Sequence, residues 1–553
     1  MPPAGALAYP RVVPTAALRR TAALLGVLAL VAVLIGGCAG GQTTPPVRDT
    51  AAPADPGLDQ GLVHTRTGAL RGQIAPDHLL FQDIPYAAPP VGPLRWQPPR
   101  PAPPWPGVRD AASSGPRCIQ DSRVDPGFGR TSNEDCLSLN VWSPTGASAL
   151  PVMVWIHGGG FVNGSGDIYD AEWLTTKGHM VVVTVNYRLG APGFLAHPDL
   201  GPPDEVGNYG LADQQAALRW VRDNIAAFGG DPAKVTIAGE SAGAMSVCDH
   251  LVAPGSQGLF RAAILQSGPC QVQADPVVAQ RVSREYARAV GCGDPSTTAR
   301  CLRALPAAAL VDPPWYLRIG TDRLSGPVTG TRMLPMDPPT AIRAGRAARV
   351  PVLIGSNADE FTLFMALRYL RTGREPSAAA YPGMLADAFG GHAGDIARRY
   401  APERFGGDVS LAYATAVTDG VFACPAAGVA SGLAAHAPVY AYEFSDRTAP
   451  APAPLRTVPF PVGAAHSLEL RYLFDVGGAP PLSPVQRRLS DQMIGYWSHF
   501  VATGVPGYPG APVWPALSGP GGQQRMTFTA QGPRVRSDFG VEHQCPFWAG
   551  LAG

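Results

Sequence analysis

Ser241 stands in the stretch KVTIAGESAGAMSV, residues 234–247, with a glycine two positions away on either side. An apolar β-branched run precedes it and small residues follow. A serine hydroxyl is a weak nucleophile at neutral pH: it needs a base, the base needs an orienting acid, and a tetrahedral intermediate needs donors for its oxyanion. With 65 glycines in 553 residues, the G-x-S-x-G pattern carries little weight alone. Its surroundings carry more. Upstream, WIHGGGFVNG follows an apolar run, and its three consecutive glycines let backbone N–H groups turn toward a substrate without side chains in the way. One such donor is worth about 3 kcal/mol of barrier, and a position before the serine is where the donor loop of a strand–serine–helix turn belongs.

The elements needed to hold these groups are legible in the periodicity. LPVMVWIHGGG and HMVVVTVNYRLG are continuous apolar runs stopped by glycine, as central strands covered on both faces should be. In LADQQAALRWVRDNIAAFGG, Leu218, Val221, Ile225 and Phe228 recur at helical spacing, and Gly229 supplies a stop. KVTIA then reads as a strand and SAGAMSVCDHLV as a helix. The turn between them strains Ser241 and requires small neighbours, which Gly239, Ala242 and Gly243 provide. Further strands are expected at FRAAILQS, VPVLIGS and APVYAYEFS. A late helix should start at Ser483-Pro484 with Met493, Trp497 and Phe500 on one face. The β-α-β-α order predicts an α/β fold: a large, mostly parallel sheet with helices on both faces. The proline-rich stretches near 305–340 and 447–462 read as long loops, and no linker divides residues 59–553.

Among 42 acidic residues and 11 histidines, spacing alone does not single out the acid and the base. The order serine, acid, histidine restricts the base to His250, His392, His436, His466, His499 or His543. His250 and His499 fall in helices. His466, in the glycine- and proline-rich FPVGAAHSLEL, has the setting of a loop-borne base.

Net charge is +1, with only 15% charged residues, so no basic stripe points to nucleic acid. Arg11, Arg19 and Arg20 precede the apolar run TAALLGVLALVAVLIGGC, which is short for a membrane span and ends in Ile35-Gly36-Gly37-Cys38. This resembles a bacterial lipobox, which predicts a signal peptide over 1–37, lipid on Cys38, a flexible tether over 38–58, and an exported protein anchored to the membrane. The chain has nine cysteines. Setting Cys38 aside leaves Cys118, Cys136, Cys248, Cys270, Cys292, Cys301, Cys424 and Cys545, an even set that favours disulfides outside the cytoplasm. No metal-ligand spacing is present, and neither a metal nor a cofactor is expected.

Several ordered stretches carry a family resemblance: FQDIPYAAPPVGPLRWQPP, SNEDCLSLNVWSP, VMVWIHGGGFVNGS, VNYRLGAPGFL, GNYGLADQQAALRWVRDNIAAFGGDPAKVTIAGESAGA and LFRAAILQSG. Over nearly all of residues 59–553 the chain is similar to the type-B carboxylesterases and lipases, which include the cholinesterases. The resemblance implies an α/β-hydrolase fold with long loop insertions and a serine esterase acting on small-molecule or lipid-like esters. It implies Ser241 as nucleophile, Glu360 in GSNADE as acid with Asp359 as its adjacent rival, and His466 as base. Gly159, Gly160 and Ala242 would be the oxyanion donors, with Glu240 and Ser267 behind them. It further implies the bridges Cys118–Cys136, Cys292–Cys301 and Cys424–Cys545, with Cys248–Cys270 left over. Where the family has glycine after the acid and after the histidine, this chain has Phe361 and Ser467. Lipase or amide and carbamate hydrolysis on the same triad, and a non-catalytic adhesion protein, are the alternatives; the oligomeric state is not legible. A histidine base predicts kcat/KM rising with pH through a group near ~6 to 7.

Overall fold

The apolar runs form the centre of one sheet. A computed structural model describes residues 55–121, 132–518 and 522–551; the expected signal peptide, Cys38 and most of the expected tether lie outside them. In chain order the main strands are β1 (Gln73–Ile74), β2 (His78–Pro85), β3 (Ser138–Pro144), β4 (Leu150–Ile156), β5 (Val181–Val185) and β6 (Gly230–Glu240). Then come β7 (Ala262–Gln266), β8 (Val352–Asn357), β9 (Val439–Phe444), β10 (Arg525–Thr529) and β11 (Gly532–Arg536). They lie side by side as β11-β10-β9-β8-β7-β6-β4-β5-β3-β2-β1. Neighbours from β5 across to β10 run parallel, and both margins are antiparallel.

Every residue of β5, β7, β8 and β9 is buried, which is why these segments read as unbroken apolar runs rather than alternating ones. Strand order reverses at β4, since the chain steps out to β5 and then crosses back over β4 to reach β6. The carboxyl ends of β4 and β6 therefore flank a topological switch point, where open α/β sheets leave a crevice. The glycine run leaves the end of β4 and Ser241 leaves the end of β6.

The main helices are α1 (Tyr209–Asn224), α2 (Ala242–Val252), α3 (Thr362–Thr372), α4 (Val409–Val417), α5 (Cys424–Ala434) and α6 (Pro484–Thr503). The helix expected through Phe228 ends one turn earlier as an α-helix. It closes with a 3-10 turn, Ile225–Phe228, and stops at Gly229, whose φ of 77° lets its N–H return to Ala226 O. On α6 the side chains of Ser483 and Gln486 each cap the other's backbone, and Met493, Trp497 and Phe500 are all fully buried. A π-helical segment, Thr418–Ala423, joins α4 to α5; this run is apolar enough to cross a membrane, but half of its most apolar window is packed inside the molecule. The proline-rich stretches hold more structure than loops. A small hairpin pairs Leu317–Ile319 with Asp322–Leu324. Pro338 opens a short helix at the position where a missing N–H costs nothing, with the Asp337 side chain as cap.

The eight described cysteines pair as Cys118–Cys136, Cys248–Cys270, Cys292–Cys301 and Cys424–Cys545. The last closes 121 residues and the third only 9. In the chain-entropy account these loops stabilise by about 5 and about 2.6 kcal/mol. Replacing Cys424 and Cys545 together by alanine should therefore cost about 2 kcal/mol more in urea denaturation than the same change at Cys292 and Cys301. Equal losses would mean that unfolded-chain entropy does not govern these bridges.

Candidate active site

The turn from β6 to α2 is as tight as the sequence requires. Ser241 sits at φ 55°, ψ −124°, a backbone conformation that costs of order 1–3 kcal/mol and persists only where surroundings enforce it. A Cβ on Gly243 would lie 2.0 Å from the carbonyl oxygen of Ile156 at the end of β4, so the elbow closes against β4 only with glycine there. The Ser241 N–H donates to Gln266 O at 2.9 Å, which fixes the elbow to β7.

Beyond β4, Gly159 adopts φ 106°, and a Cβ there would meet Asn163 O at 2.2 Å. Its carbonyl accepts from the N–H groups of Val162 and Asn163 at 3.0 and 3.1 Å, folding the glycine run into a compact turn. Among the described residues, the amides of Gly159, Gly160 and Ala242 donate to no carbonyl, leaving all three for a ligand. His157 braces the turn: its Nδ1 bonds Gly158 O at 2.8 Å, its ring stacks on Tyr187 at 4.4 Å, and Tyr187 OH donates to His157 O at 2.8 Å. Burial pushes His157 down to about 4, so it is neutral beside the donors.

Across the crevice, His466 Nδ1 lies 2.6 Å from Glu360 Oε2, both groups being buried. Glu360 Oε1 accepts the Asn357 N–H at 2.7 Å, a contact that ties the carboxylate to the end of β8. Asp359 faces away: it binds Arg447 Nε and Nη2 at 2.8 and 3.1 Å and accepts from Ala464 N at 2.9 Å. The choice between the adjacent acids is thus made by direction, and Glu360 is the one that meets the imidazole. Phe361, which replaces a family glycine, is buried and stacks on Phe364 at 4.8 Å.

His466 Nε2 lies 3.1 Å from Glu240 Oε1, the residue before Ser241, while Ser241 Oγ makes no hydrogen bond among the described residues. The other histidines serve elsewhere. His250 is buried between Ser256 and Gln214, His499 bonds Val505 O near the surface, and His392 and His436 are exposed. His543 is clamped between Asp419 at 2.6 Å and Glu443 at 2.7 Å. A strained serine, three free amides and a histidine–carboxylate pair thus converge on the switch point.

A model described as the carboxylesterase family matches residues 59–548. The chain belongs to the carboxylesterase family. It is an α/β-hydrolase and a carboxylic ester hydrolase. It is 35% identical over 494 residues to acylcarnitine hydrolase of Rattus norvegicus, covering 82% of this chain and 85% of that one. Fumonisin B1 esterase of Sphingopyxis macrogoltabida is 35% identical over 510 residues, 89% of each chain. Cocaine esterase of Oryctolagus cuniculus is 36% identical over 497 residues, 82% of this chain and 89% of that one.

In this carboxylesterase three buried acids, Glu240, Glu360 and Glu469, surround one imidazole. Asn357 Nδ2 donates to Glu469 Oε2 at 2.6 Å and to Ala465 O at 2.8 Å. Gln266 Nε2 reaches Glu469 Oε1 at 3.3 Å, and Trp497 Nε1 holds Gln266 Oε1 at 2.8 Å. Ser467 Oγ donates to Glu240 Oε1 at 2.6 Å. Ser267 is buried at φ 54° with no partner for its Oγ among the described residues. The hydrogen-bonding roles of Glu469, Asn357, Gln266, Trp497 and Ser467 escape a reading of the sequence, because each bonds to a residue distant along the chain. A cavity of about 340 Å³ opens beside Gly159, Glu240 and His466.

Burial opposes a charge on His466, but Glu240 and Glu360 outweigh it and hold the imidazole up to about 9. Burial and then Glu240 and Glu360 push Glu469 up to about 8. These acids move the expectation for this site upward from the free-histidine range of ~6 to 7. A protonated His466 cannot accept a proton, so kcat/KM should rise with pH on a limb displaced toward 9. Glu240→Gln removes the largest charge raising it, and the limb should move down. A midpoint unmoved by that change would show that Glu240 does not set the imidazole's proton affinity.

Proposed function

We propose that the enzyme hydrolyses carboxylic esters through an acyl-enzyme on Ser241, with His466 as base and Glu360 orienting it. The supporting observation is the imidazole held at Nδ1 by Glu360 at 2.6 Å, with Nε2 turned to the elbow, 3.1 Å from Glu240. Nε2 takes the Ser241 proton as Oγ attacks the ester carbonyl, and catalytic hydrogen bonds of this kind commonly tighten only with substrate bound. The oxyanion collects the amides of Gly159, Gly160 and Ala242 at the start of α2. The imidazolium returns its proton to the departing alkoxide, and water repeats the sequence on the acyl-enzyme. Glu360 keeps the imidazole in the correct tautomer and offsets its charge, while Glu240, tethered by Ser467, and the neighbouring Ser267 hold the histidine's surroundings. The relatives' names point to esters of varied size, so the acyl preference of this chain is read from a p-nitrophenyl ester series.

Ser241→Ala should fold normally and lose about 10⁶ of kcat. Glu360→Gln should lose about 10⁴ through misorientation of the base, whereas Asp359→Asn should stay near wild type. Retention of a few per cent of ester turnover by Ser241→Ala would refute the assignment.

The export reading goes with this function. Residues 1–37 are the signal peptide, Cys38 carries the lipid, and the chain from 38 forms the tether, supported by Arg11, Arg19 and Arg20, the apolar run and the small residues before Cys38. The expected tether over 38–58 is too long at its far end, because the Asp55 N–H donates to Ala227 O and Leu58 is buried in the domain. Four disulfides fit an oxidising compartment. Acyl chains bury about 0.8 kcal/mol per CH₂, so two or three hold a protein at the membrane. Cys38→Ala should move the enzyme from the membrane fraction to the medium, or leave an unprocessed precursor. Wild type found wholly soluble and without lipid would sink the anchor.

A further inference from the structure

The cavity beside His466 carries a cation on its wall. Gly159, Glu240 and His466 line it together with the apolar Ile168, Leu363, Leu455, Leu468, Leu470 and Val476, and Arg471 also lines it. Arg471 is half-buried and, among the described residues, makes no hydrogen bond or ion pair. Burial weakens its hold on its proton, and the opposing carboxylate that favours its charge is Asp475, which is exposed and accepts the Gly477 N–H at 2.9 Å. A guanidinium offers five donors in a planar fork. On the cavity wall beside apolar side chains, that fork can donate to an acceptor that a ligand brings.

The side of the reaction this cavity serves follows from the proton path. His466 must hand its proton to the departing alkoxide, so the alcohol portion of the ester lies on the Nε2 side, where Glu240 and this cavity are. The cavity wall carries both signs of charge: Glu240, already engaged by Ser467 and His466, and Arg471, which attracts an anion. Past Arg471 and Val476 lies a second cavity of about 400 Å³ bordered by Lys177, Arg471 and Arg487, with Asp475 the one acid on its wall. Lys177 is paired with Asp491 at 2.6 Å, so Arg471 and Arg487 are the cations of that wall without an ion-pair partner among the described residues.

We propose that Arg471 reads a carboxylate on the alcohol portion of the substrate, so that the enzyme favours esters of hydroxy acids over esters of neutral alcohols of the same shape. The carboxylate accepts two N–H bonds from the guanidinium fork, the apolar walls hold the carbon skeleton, and the ester oxygen is left at His466. This rests on the triad reading above and adds a substrate class to it. Arg471 is a specificity residue and touches none of the reacting atoms.

The test compares kcat/KM for 3- and 4-acetoxybenzoate with that for the matching acetoxybenzamides, which have the same shape without the charge. Wild type should prefer at least one acid, and Arg471→Gln and Arg471→Leu should lose about 10- to 100-fold on that acid. They should change less than about threefold on the amide, with Arg471→Lys falling between. Unchanged amide turnover also reports that the variants fold. Inhibition by the corresponding hydroxybenzoate should weaken in parallel, a readout that needs no chemistry. Wild-type ratios near one for both isomers, or equal losses on acid and amide, would overturn the proposal. p-Nitrophenyl acetate turnover that vanishes in Ser241→Ala keeps the triad reading standing in either case, so the two failures are told apart.

Discussion

The bond on which the site depends is the one between His466 Nδ1 and Glu360 Oε2, 2.6 Å long and out of reach of water. A carboxylate placed there pays a large desolvation cost unless its lone pairs are filled, and the surrounding structure can be read as the means of filling them. Glu360 takes one bond from the imidazole and one from the backbone at the end of β8. The same Asn357 that supplies this backbone N–H extends its amide to Glu469. Glu469 in turn meets Gln266 at the end of β7, which Trp497 of α6 holds in place. Strands β7 and β8 and helix α6 are thereby locked to the loop that carries the base.

Such a network is strong only while complete. In a low-dielectric interior a half-satisfied carboxylate costs more than an apolar side chain would. Glu240 and Glu360 around one imidazole also bias the chemistry. They favour the imidazolium, the form that the proposed mechanism generates, and so would lower the energy of the charged intermediate. The opposing effect is that the resting histidine holds its own proton more tightly. In the proposed mechanism the site exchanges readiness of the base at neutral pH for stabilisation of the charge that develops, and Glu240, which raises the imidazole through its charge, stands one residue before Ser241.

How much of this was legible depended on how local each signal is. The strand–serine–helix turn, the glycine run and the helix begun at Ser483-Pro484 are local, and the backbone needs of those few residues are enough to read them. The acid was different. Asp359 and Glu360 are adjacent and chemically alike, and what separates them is Arg447 on a distant loop, which draws Asp359 outward. Family likeness supplied that choice from sequence; Arg447 supplies its physical reason. Gln266 and Trp497 join the site through a contact 231 residues apart in the chain, so no spacing could announce them. The upward push on the His466 imidazole was out of reach for a related reason: the burial of acids around it is a property of the fold.

Ser467 brings these strands together. Its φ of 66° is the left-handed conformation that glycine adopts freely, and a non-glycine residue there costs about 1–2 kcal/mol. A hydrogen bond to a charged acceptor offsets this by about 1.5–3 kcal/mol, and Ser467 Oγ makes one, to Glu240 Oε1 at 2.6 Å. That oxygen is the one facing His466 Nε2. The hydroxyl thus favours the charged form of Glu240 and shares one carboxylate oxygen with the imidazole. The departure from glycine is therefore balanced locally: the backbone strain is offset by a bond that fixes the Glu240 carboxylate beside His466.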